Sequence, residues 1–271
     1  MEIYYIATLF FFGSIIGSFL NVVILRHGTG RSLEGRSGCM SCAKKLSWYE
    51  LIPILSWCLQ QGRCRGCGSK ISSQYPKVEI VTGLLFALSY YVVLPTDLLS
   101  LISITLLNII FAVLVAIIFY DIKHMIIPDI WSAIFAGVSL MFASLYWFDV
   151  PVELFVTSDG WQHLLAGPLL FVPFWILWFY SKGVWIGLGD GKLAIGIGWL
   201  LGPVYGLSAI VVAFWIGAIF GLALLLISRL VKRFTCITMK SEIPFGPFLI
   251  VGALLILFFQ VNALEIINIF I

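Results

Sequence analysis

Long apolar runs separated by short polar stretches form the dominant pattern along the chain. A helix of about 20 apolar residues crosses a hydrocarbon core of roughly 30 Å, and most of the runs approach or exceed that length. The run at 193–201 is much shorter, and Gly202 and Pro203 follow its end. The pattern predicts an all-α polytopic membrane protein. The apolar runs cover residues 3–25, 78–94, 98–120, 130–148, 164–180, 193–201, 204–227 and 248–271.

The composition agrees with this class. The chain has 271 residues, of which 61% are hydrophobic and 11% are charged, whereas an ordinary soluble domain carries about 25% charged residues. Too few polar side chains remain to cover a water-facing surface. The composition therefore excludes a soluble enzyme, a disordered chain and a disulfide-stapled secreted module.

The positions of the basic residues favour about eight transmembrane helices over seven. If the run at 193–201 crosses the membrane, all sixteen Lys and Arg residues lie on the cytoplasmic side, as the positive-inside rule requires. Seven crossings would place Arg229, Lys232 and Arg233 outside. The predicted organisation is a first transmembrane helix at 1–25, a cytoplasmic insert at 26–77 and a transmembrane core at 78–271.

Four cysteines in the insert form two CxxC motifs separated by 21 residues, Cys39–Cys42 and Cys64–Cys67. This spacing is typical of a tetrahedral Zn²⁺ site. Four sulfur ligands leave no open position for a substrate, so the predicted zinc is structural and the insert resembles a zinc ribbon. Two disulfides or free thiols remain the alternatives. The nine basic residues of the insert are interpreted as a solvated cytoplasmic face, and no nucleic-acid partner is predicted.

Three aspartates at the cytoplasmic edge of the predicted helices are the candidates for chemistry. Asp121 follows the third long run, Asp129 precedes the fourth, and Asp190 lies in the sequence GLGDGK. Two nearby carboxylates share one proton, so one can activate water while the other polarises a peptide carbonyl. The flanking Gly187 and Gly189 suit close approach of a substrate backbone.

The same acids also have structural interpretations. Asp129 fits a helix N-cap, and Asp121 and Asp190 could pair with Lys123 and Lys192 as interfacial charges. Intramembrane acids also serve proton relays, so a proton-coupled transporter is an alternative function. A non-enzymatic membrane assembly factor that binds partners through the cysteine insert is another.

Several motifs in order along the chain resemble the type IV prepilin peptidases, which are intramembrane aspartic proteases of the GxGD kind. Bifunctional members of that family are leader peptidases and N-methyltransferases. Met40 stands where relatives commonly have proline. The motifs are GSFLN from Gly17, the paired CxxC motifs, LIPILS from Leu51, YPKVE from Tyr75, the block from Asp121 to Asp129, GLGDGKL from Gly187 and EIPFGP from Glu242.

The resemblance implies that Asp121 and Asp190 form the catalytic pair, with Asp129, Lys192, Gly187 and Gly189 supporting. It implies cleavage of the basic leader of type IV prepilins and pseudopilins after a glycine, at the cytoplasmic face of the bacterial inner membrane. It also implies methylation of the new N-terminus with S-adenosylmethionine. Prepilins, pseudopilins and the lipid bilayer are the expected partners; no oligomeric state is predicted. We expect acids such as Glu50, Glu79 and Glu242 to receive the basic leader.

Overall fold

The computed structural model describes residues 2–30, 32, 35, 37–145, 160–230, 243–260 and 262. Within these residues the secondary structure is helical, and two isolated β-bridges take the place of strands. The predicted all-α class is therefore confirmed for this part of the chain. The helices are α1 (Glu2–Arg26), a 3-10 turn (Trp48–Leu51), α2 (Leu55–Leu59), α3 (Gln74–Val92), α4 (Leu98–His124), α5 (Asp129–Leu145), α6 (Gly160–Ser181), α7 (Leu188–Leu230) and α8 (Gly246–Phe259).

Four helices are long and apolar enough to cross a membrane, which agrees with a multi-pass membrane protein. The two shorter apolar helices are α5 and α8. The ends of the predicted runs at 130–148 and 248–271 lie partly outside the described residues, as does Glu242. The four long candidates are Glu2–Arg26, Leu98–His124, Trp161–Ser181 and Leu188–Ser228.

The chain divides into two compact units, Met1–Phe119 and Tyr120–Ile271. In the first unit, α1 and α3 pack antiparallel through small residues. A Cβ atom added at Gly17 would lie 2.8 Å from the Cα of Glu79, and one at Gly13 would lie 2.8 Å from the Cβ of Phe86. Small residues allow this close approach of two helix backbones, which is the usual basis of helix pairing in a membrane.

Two buried glutamates organise the cysteine insert, and one of them joins it to this helix pair. Glu79 of α3 accepts a 2.7 Å hydrogen bond from the backbone N–H of Ile54. Glu50 accepts a hydrogen bond from the N–H of Ser47 and pairs with Lys44 at 3.3 Å. The hydrogen bond from the Ser47 amide holds the pKa of Glu50 below its usual range, and the Lys44 ammonium adds a smaller effect in the same direction. Both residues are 6% exposed and their carboxylates already have partners, Glu50 within the insert and Glu79 between α3 and the insert, so the structure does not favour the expectation that they receive a basic leader.

In the second unit, α7 is a helical hairpin. Gly202 has φ 77° and ψ −178°, which interrupts the helix immediately before Pro203. A Cβ atom at Gly206 would lie 3.4 Å from the Cα of Gly198, although eight residues of straight helix would separate the two positions by about 12 Å. The chain therefore turns back on itself at Gly202, and the short run at 193–201 forms its own helical segment, as the sequence indicated.

The first arm of the hairpin, residues 188–201, is surrounded by α5 and α6. Gly196 contacts the ring of Phe135 from α5, while a Cβ atom at Gly198 would lie 2.6 Å from the carbonyl oxygen of Ala166 in α6. The indole of Trp199 donates a 3.0 Å hydrogen bond to the Leu164 carbonyl. This close packing fixes the arm whose first turn carries Asp190.

Candidate active site and metal centre

Asp121 and Asp190 lie in the same unit, at the ends of two helices. Asp121 is in the last turn of α4, and Asp190 is in the first turn of α7. Their side chains are 3% and 9% exposed, and the two carboxyl groups are within electrostatic range of each other. Burying one carboxyl group costs free energy unless a partner group compensates it, and burying two carboxyl groups together costs more. The arrangement suits a pair that holds one proton between two acids.

The Asp121 carboxyl group faces the N-terminus of α8. The backbone N–H of Gly246 donates a hydrogen bond to it, and a Cβ atom at position 246 would lie 2.5 Å from Asp121 Oδ2. Only glycine allows the backbone to come this close. Sequence reasoning assigned Gly246 no role, although its motif was recognised. A glycine between Phe245 and Pro247, at the start of an apolar helix, was the signal available.

The Asp190 carboxyl group lies beside Gly187. It accepts a hydrogen bond from the Gly187 backbone, and Asp190 Oδ2, at 3.7 Å, is the nearest atom to a Cβ added at position 187. A carbon atom would therefore fit beside this carboxylate without a clash, although Asp190 itself is buried. Gly189 has a different environment, because a Cβ atom there would lie 3.1 Å from the Cβ of Ile127.

Ile127 is a second residue to which the sequence analysis assigned no role. It packs between the backbones of Gly189 and Gly246. It contacts the Gly189 position, and its Cδ1 would lie 3.1 Å from a Cβ at Gly246. The preceding turn ends α4, where Met125 has φ 53° and donates a 2.7 Å hydrogen bond to the Asp121 carbonyl. The tight turn thus brings an apolar side chain back against both glycines beside the two acids.

Asp129 and Lys192 form an ion pair between α5 and α7. Lys192 Nζ donates to Asp129 Oδ1 at 2.6 Å. Asp129 is the first residue of α5, whose first-turn amides bond to the Pro128 carbonyl, so Asp129 lies one position inside the cap. Lys192 pairs with Asp129 rather than with Asp190, its neighbour in sequence. The pair ties the start of α5 to the turn that carries Asp190.

The four cysteines of the insert form one cluster in the first unit. Their sulfur atoms all lie within 4.8 Å of one another, and Cys39 and Cys67 are 3.8 Å apart. Four ligands at 2.3 Å in a tetrahedral Zn²⁺ site give sulfur–sulfur distances of about 3.8 Å, whereas a disulfide requires about 2.05 Å. The donor set and spacing therefore fit a structural zinc ion.

The two CxxC turns are built alike. Each turn is closed by one isolated antiparallel bridge, Gly38 with Lys45 and Arg63 with Lys70. The Gly66 N–H also donates to the Cys64 sulfur at 3.4 Å. Such amide–sulfur bonds orient a thiolate toward the metal. The repeated geometry presents two sulfurs from each turn to one point.

Removal of a ligand should release the metal and destabilise the insert, because the insert has little core of its own. We expect Cys64→Ser to lose most bound zinc, measured by elemental analysis of the purified protein, and to lower the melting temperature. Cys58→Ser is the matched control, because Cys58 is exposed and lies outside the cluster. Full zinc occupancy in Cys64→Ser would contradict the assignment.

Two family models match most of the chain. Residues 11–93 match the bacterial peptidase A24 N-terminal domain, and residues 108–222 match the type IV leader peptidase family. The first model includes the cysteine insert. The second includes both buried aspartates. Among solved structures there is no match.

Curated relatives carry corresponding names. A prepilin leader peptidase/N-methyltransferase of Myxococcus xanthus is 35% identical over 70% of this chain, which is 54% of that protein's length. A type 4 prepilin-like proteins leader peptide-processing enzyme of Escherichia coli is 30% identical over 92% of this chain and 91% of its own. A prepilin leader peptidase/N-methyltransferase of Bacillus subtilis is 31% identical over 92% of each chain. These matches cover most of the chain, and the two buried aspartates lie in the motifs that resemble this family. The chain therefore belongs to the type IV leader peptidase family.

Proposed function

We propose that this protein is a prepilin leader peptidase that cuts the basic leader from type IV prepilins or pseudopilins after a glycine. The observation that carries the proposal is the buried pair of Asp121 and Asp190 within electrostatic range of each other. Family membership agrees with this activity. A proton-coupled transporter is disfavoured because both acids lie at helix ends, whereas transport sites lie near the bilayer midplane.

The two acids have complementary roles in the proposed mechanism. The ionised carboxylate takes a proton from a water molecule as the water oxygen attacks the scissile carbonyl carbon, while the protonated acid donates its hydrogen to the carbonyl oxygen. The tetrahedral intermediate then collapses. The C–N bond breaks, and the leaving amine takes a proton from the acid that received one from water. The other carboxylate takes back its proton from a hydroxyl group of the intermediate, which becomes the new carboxyl group.

The supporting residues position this pair. The Gly246 amide orients Asp121, and the ion pair between Asp129 and Lys192 holds the first turn of α7. We assign the space beside Gly187 and Asp190 Oδ2 to the substrate backbone. A scissile bond after glycine fits this assignment, because a backbone without a side chain approaches a carboxylate most closely.

The proposed topology has eight crossings of the bacterial inner membrane, with the active site at the cytoplasmic face. The hairpin at Gly202 supports this count, because it makes two antiparallel segments of α7. All sixteen Lys and Arg residues then lie on the cytoplasmic side, in agreement with the positive-inside rule. Asp121 and Asp190 lie at the same edge in this topology.

We further propose that the protein methylates the new N-terminus with S-adenosylmethionine. The names of the relatives support this second activity. No described residue is assigned to the methyl donor.

The structural zinc holds the insert together and supplies no step of the hydrolysis.

The direct test uses the purified full-length protein and a synthetic prepilin in lipid nanodiscs, with and without S-adenosylmethionine. We expect mass spectrometry to detect the shortened prepilin in both reactions. A further mass increase of one methyl group should appear only with the cofactor. An unprocessed prepilin would contradict the peptidase proposal; a shortened but unmethylated product would contradict the methyltransferase proposal alone.

A further inference from the structure

The segment from Trp48 to Leu59 in the insert presents a continuous exposed apolar surface. Six large apolar side chains in these twelve residues are between 38% and 76% exposed. The single charged residue of the segment, Glu50, is turned inward and paired with Lys44. The outward face of the segment therefore carries no charge. The six exposed side chains are Trp48, Tyr49, Leu51, Ile52, Leu55 and Leu59.

Contacts with α1 and α3 place this segment beside the apolar part of the helix pair. The Ile54 amide bonds to the side chain of Glu79, and Glu79 packs directly against Gly17 of α1. Gly17 lies eight residues before the end of the apolar run, which is about 12 Å along the helix. A glutamate side chain is shorter than one helical turn of about 5.4 Å. With the 2.7 Å hydrogen bond added, the reach from the Glu79 backbone is at most about 8 Å, so Ile54 lies roughly 4 Å or more before the end of the apolar run.

A second contact joins the ends of the two helices. Asn21 of α1 donates a 3.1 Å hydrogen bond to the carbonyl of Tyr75 in the first turn of α3. The start of α3 therefore lies beside the last turns of the apolar run of α1, about 6 Å before its end. The indole of Trp57 reaches the Ile71 carbonyl at 3.5 Å, which keeps the segment close to the start of α3.

The charges around the segment match the headgroups of an anionic membrane. Exposed basic residues flank the segment in sequence on both sides, and the guanidinium of Arg65 lies 5.4 Å from the centroid of the Tyr49 ring. Exposed tryptophan and tyrosine side chains are typical of the membrane–water boundary, and nearby basic residues attract anionic lipids. The exposed basic residues closest to the segment in sequence are Lys44, Lys45, Arg63 and Arg65.

We propose that residues 48–59 form a membrane-embedded anchor, which dips into the headgroup and upper acyl region of the bilayer without crossing it. The exposed apolar side chains then meet lipid, and the basic residues meet phosphate groups. A segment with one uncharged apolar face and a basic surround has the composition of interfacial membrane segments. The anchor holds the zinc-binding turns at the membrane surface, independently of the peptidase chemistry.

The test measures the depth of single side chains in the full-length, zinc-loaded protein. Trp48 or Leu59 is replaced by 4-trifluoromethylphenylalanine, and the protein is placed in nanodiscs of phosphatidylethanolamine and phosphatidylglycerol. The same label at Phe11, which is 65% exposed on α1, is the reference for a side chain that faces lipid. The label at Lys70, which is exposed in the second CxxC turn, is the reference for a side chain that faces water. Fluorine relaxation is recorded with an acyl-chain spin-labelled lipid and with a soluble gadolinium chelate.

We expect the spin-labelled lipid to relax the labels at Trp48 and Leu59 about threefold or more faster than the label at Lys70. The gadolinium chelate should show the opposite order. If Trp48 and Leu59 respond as Lys70 does, the surface faces water and the proposal is wrong. If neither reagent reaches them, a second copy or another protein covers the surface, which also overturns the proposal. Zinc content confirms folding of each labelled protein.

Discussion

Replacing either Asp121 or Asp190 by asparagine should reduce prepilin cleavage by about 10³-fold or more, with the fold intact. Asparagine keeps the size of the side chain but can neither accept a proton from water nor share one with the other acid. The two acids act as one unit, so replacing both should reduce the cleavage rate no further than the more damaging single replacement does. The measurement is the initial rate of leader release in nanodiscs.

The control for this experiment is Asp97→Asn. Asp97 is exposed, lies in the first unit and caps α4 through the amide of Ser100, a role that asparagine also fills. Its variant should cleave at the normal rate. Helicity and melting temperature should match across all variants. Rapid processing by Asp121→Asn or Asp190→Asn would remove the aspartic protease mechanism and would favour a non-enzymatic assembly role.

Replacing Gly246 by alanine should lower kcat by about 100-fold and change KM much less. The added methyl group would lie 2.5 Å from Asp121 Oδ2 and 3.1 Å from Ile127 Cδ1, so either the carboxyl group or the start of α8 must move. Asp121 is 3% exposed and has little room to rotate. A displacement of about 1 Å in a catalytic group costs on the order of 10²-fold in rate.

Gly221→Ala is the matched control, because no heavy atom lies within 4 Å of the position where its Cβ would stand. Alanine favours a helix interior over glycine by about 1 kcal/mol, so this variant should be fully active and slightly more stable. Equal losses in both variants would indicate a general sensitivity to glycine replacement. An unchanged kcat in Gly246→Ala would show that the Gly246 contact does not position Asp121.

The partners of the charged residues were predicted less well than their positions. The pattern of short ordered motifs predicted that the two acids lie together, and their carboxyl groups are within electrostatic range of each other. It did not predict that Lys192 would pair with Asp129, 63 residues away, rather than with Asp190. Residues two apart on a helix do not face each other, and the true partner depends on how α5 packs on α7. The hydrogen bond from the Ile54 amide to Glu79, 25 residues away, likewise depends on how the insert folds against α3.

The sequence by itself determined the all-α membrane class, the break at Gly202 and the four zinc-ligand candidates. These features follow from local properties of the sequence, namely the length of each apolar run, the backbone preferences of glycine and proline, and the spacing of the cysteines. The tertiary structure alone decided the contact of Gly246 with Asp121, the position of Ile127 and the exposure of the apolar side chains of residues 48–59. Those depend on contacts between segments far apart in sequence, which no local pattern encodes, because packing selects one among many arrangements of equally apolar helices.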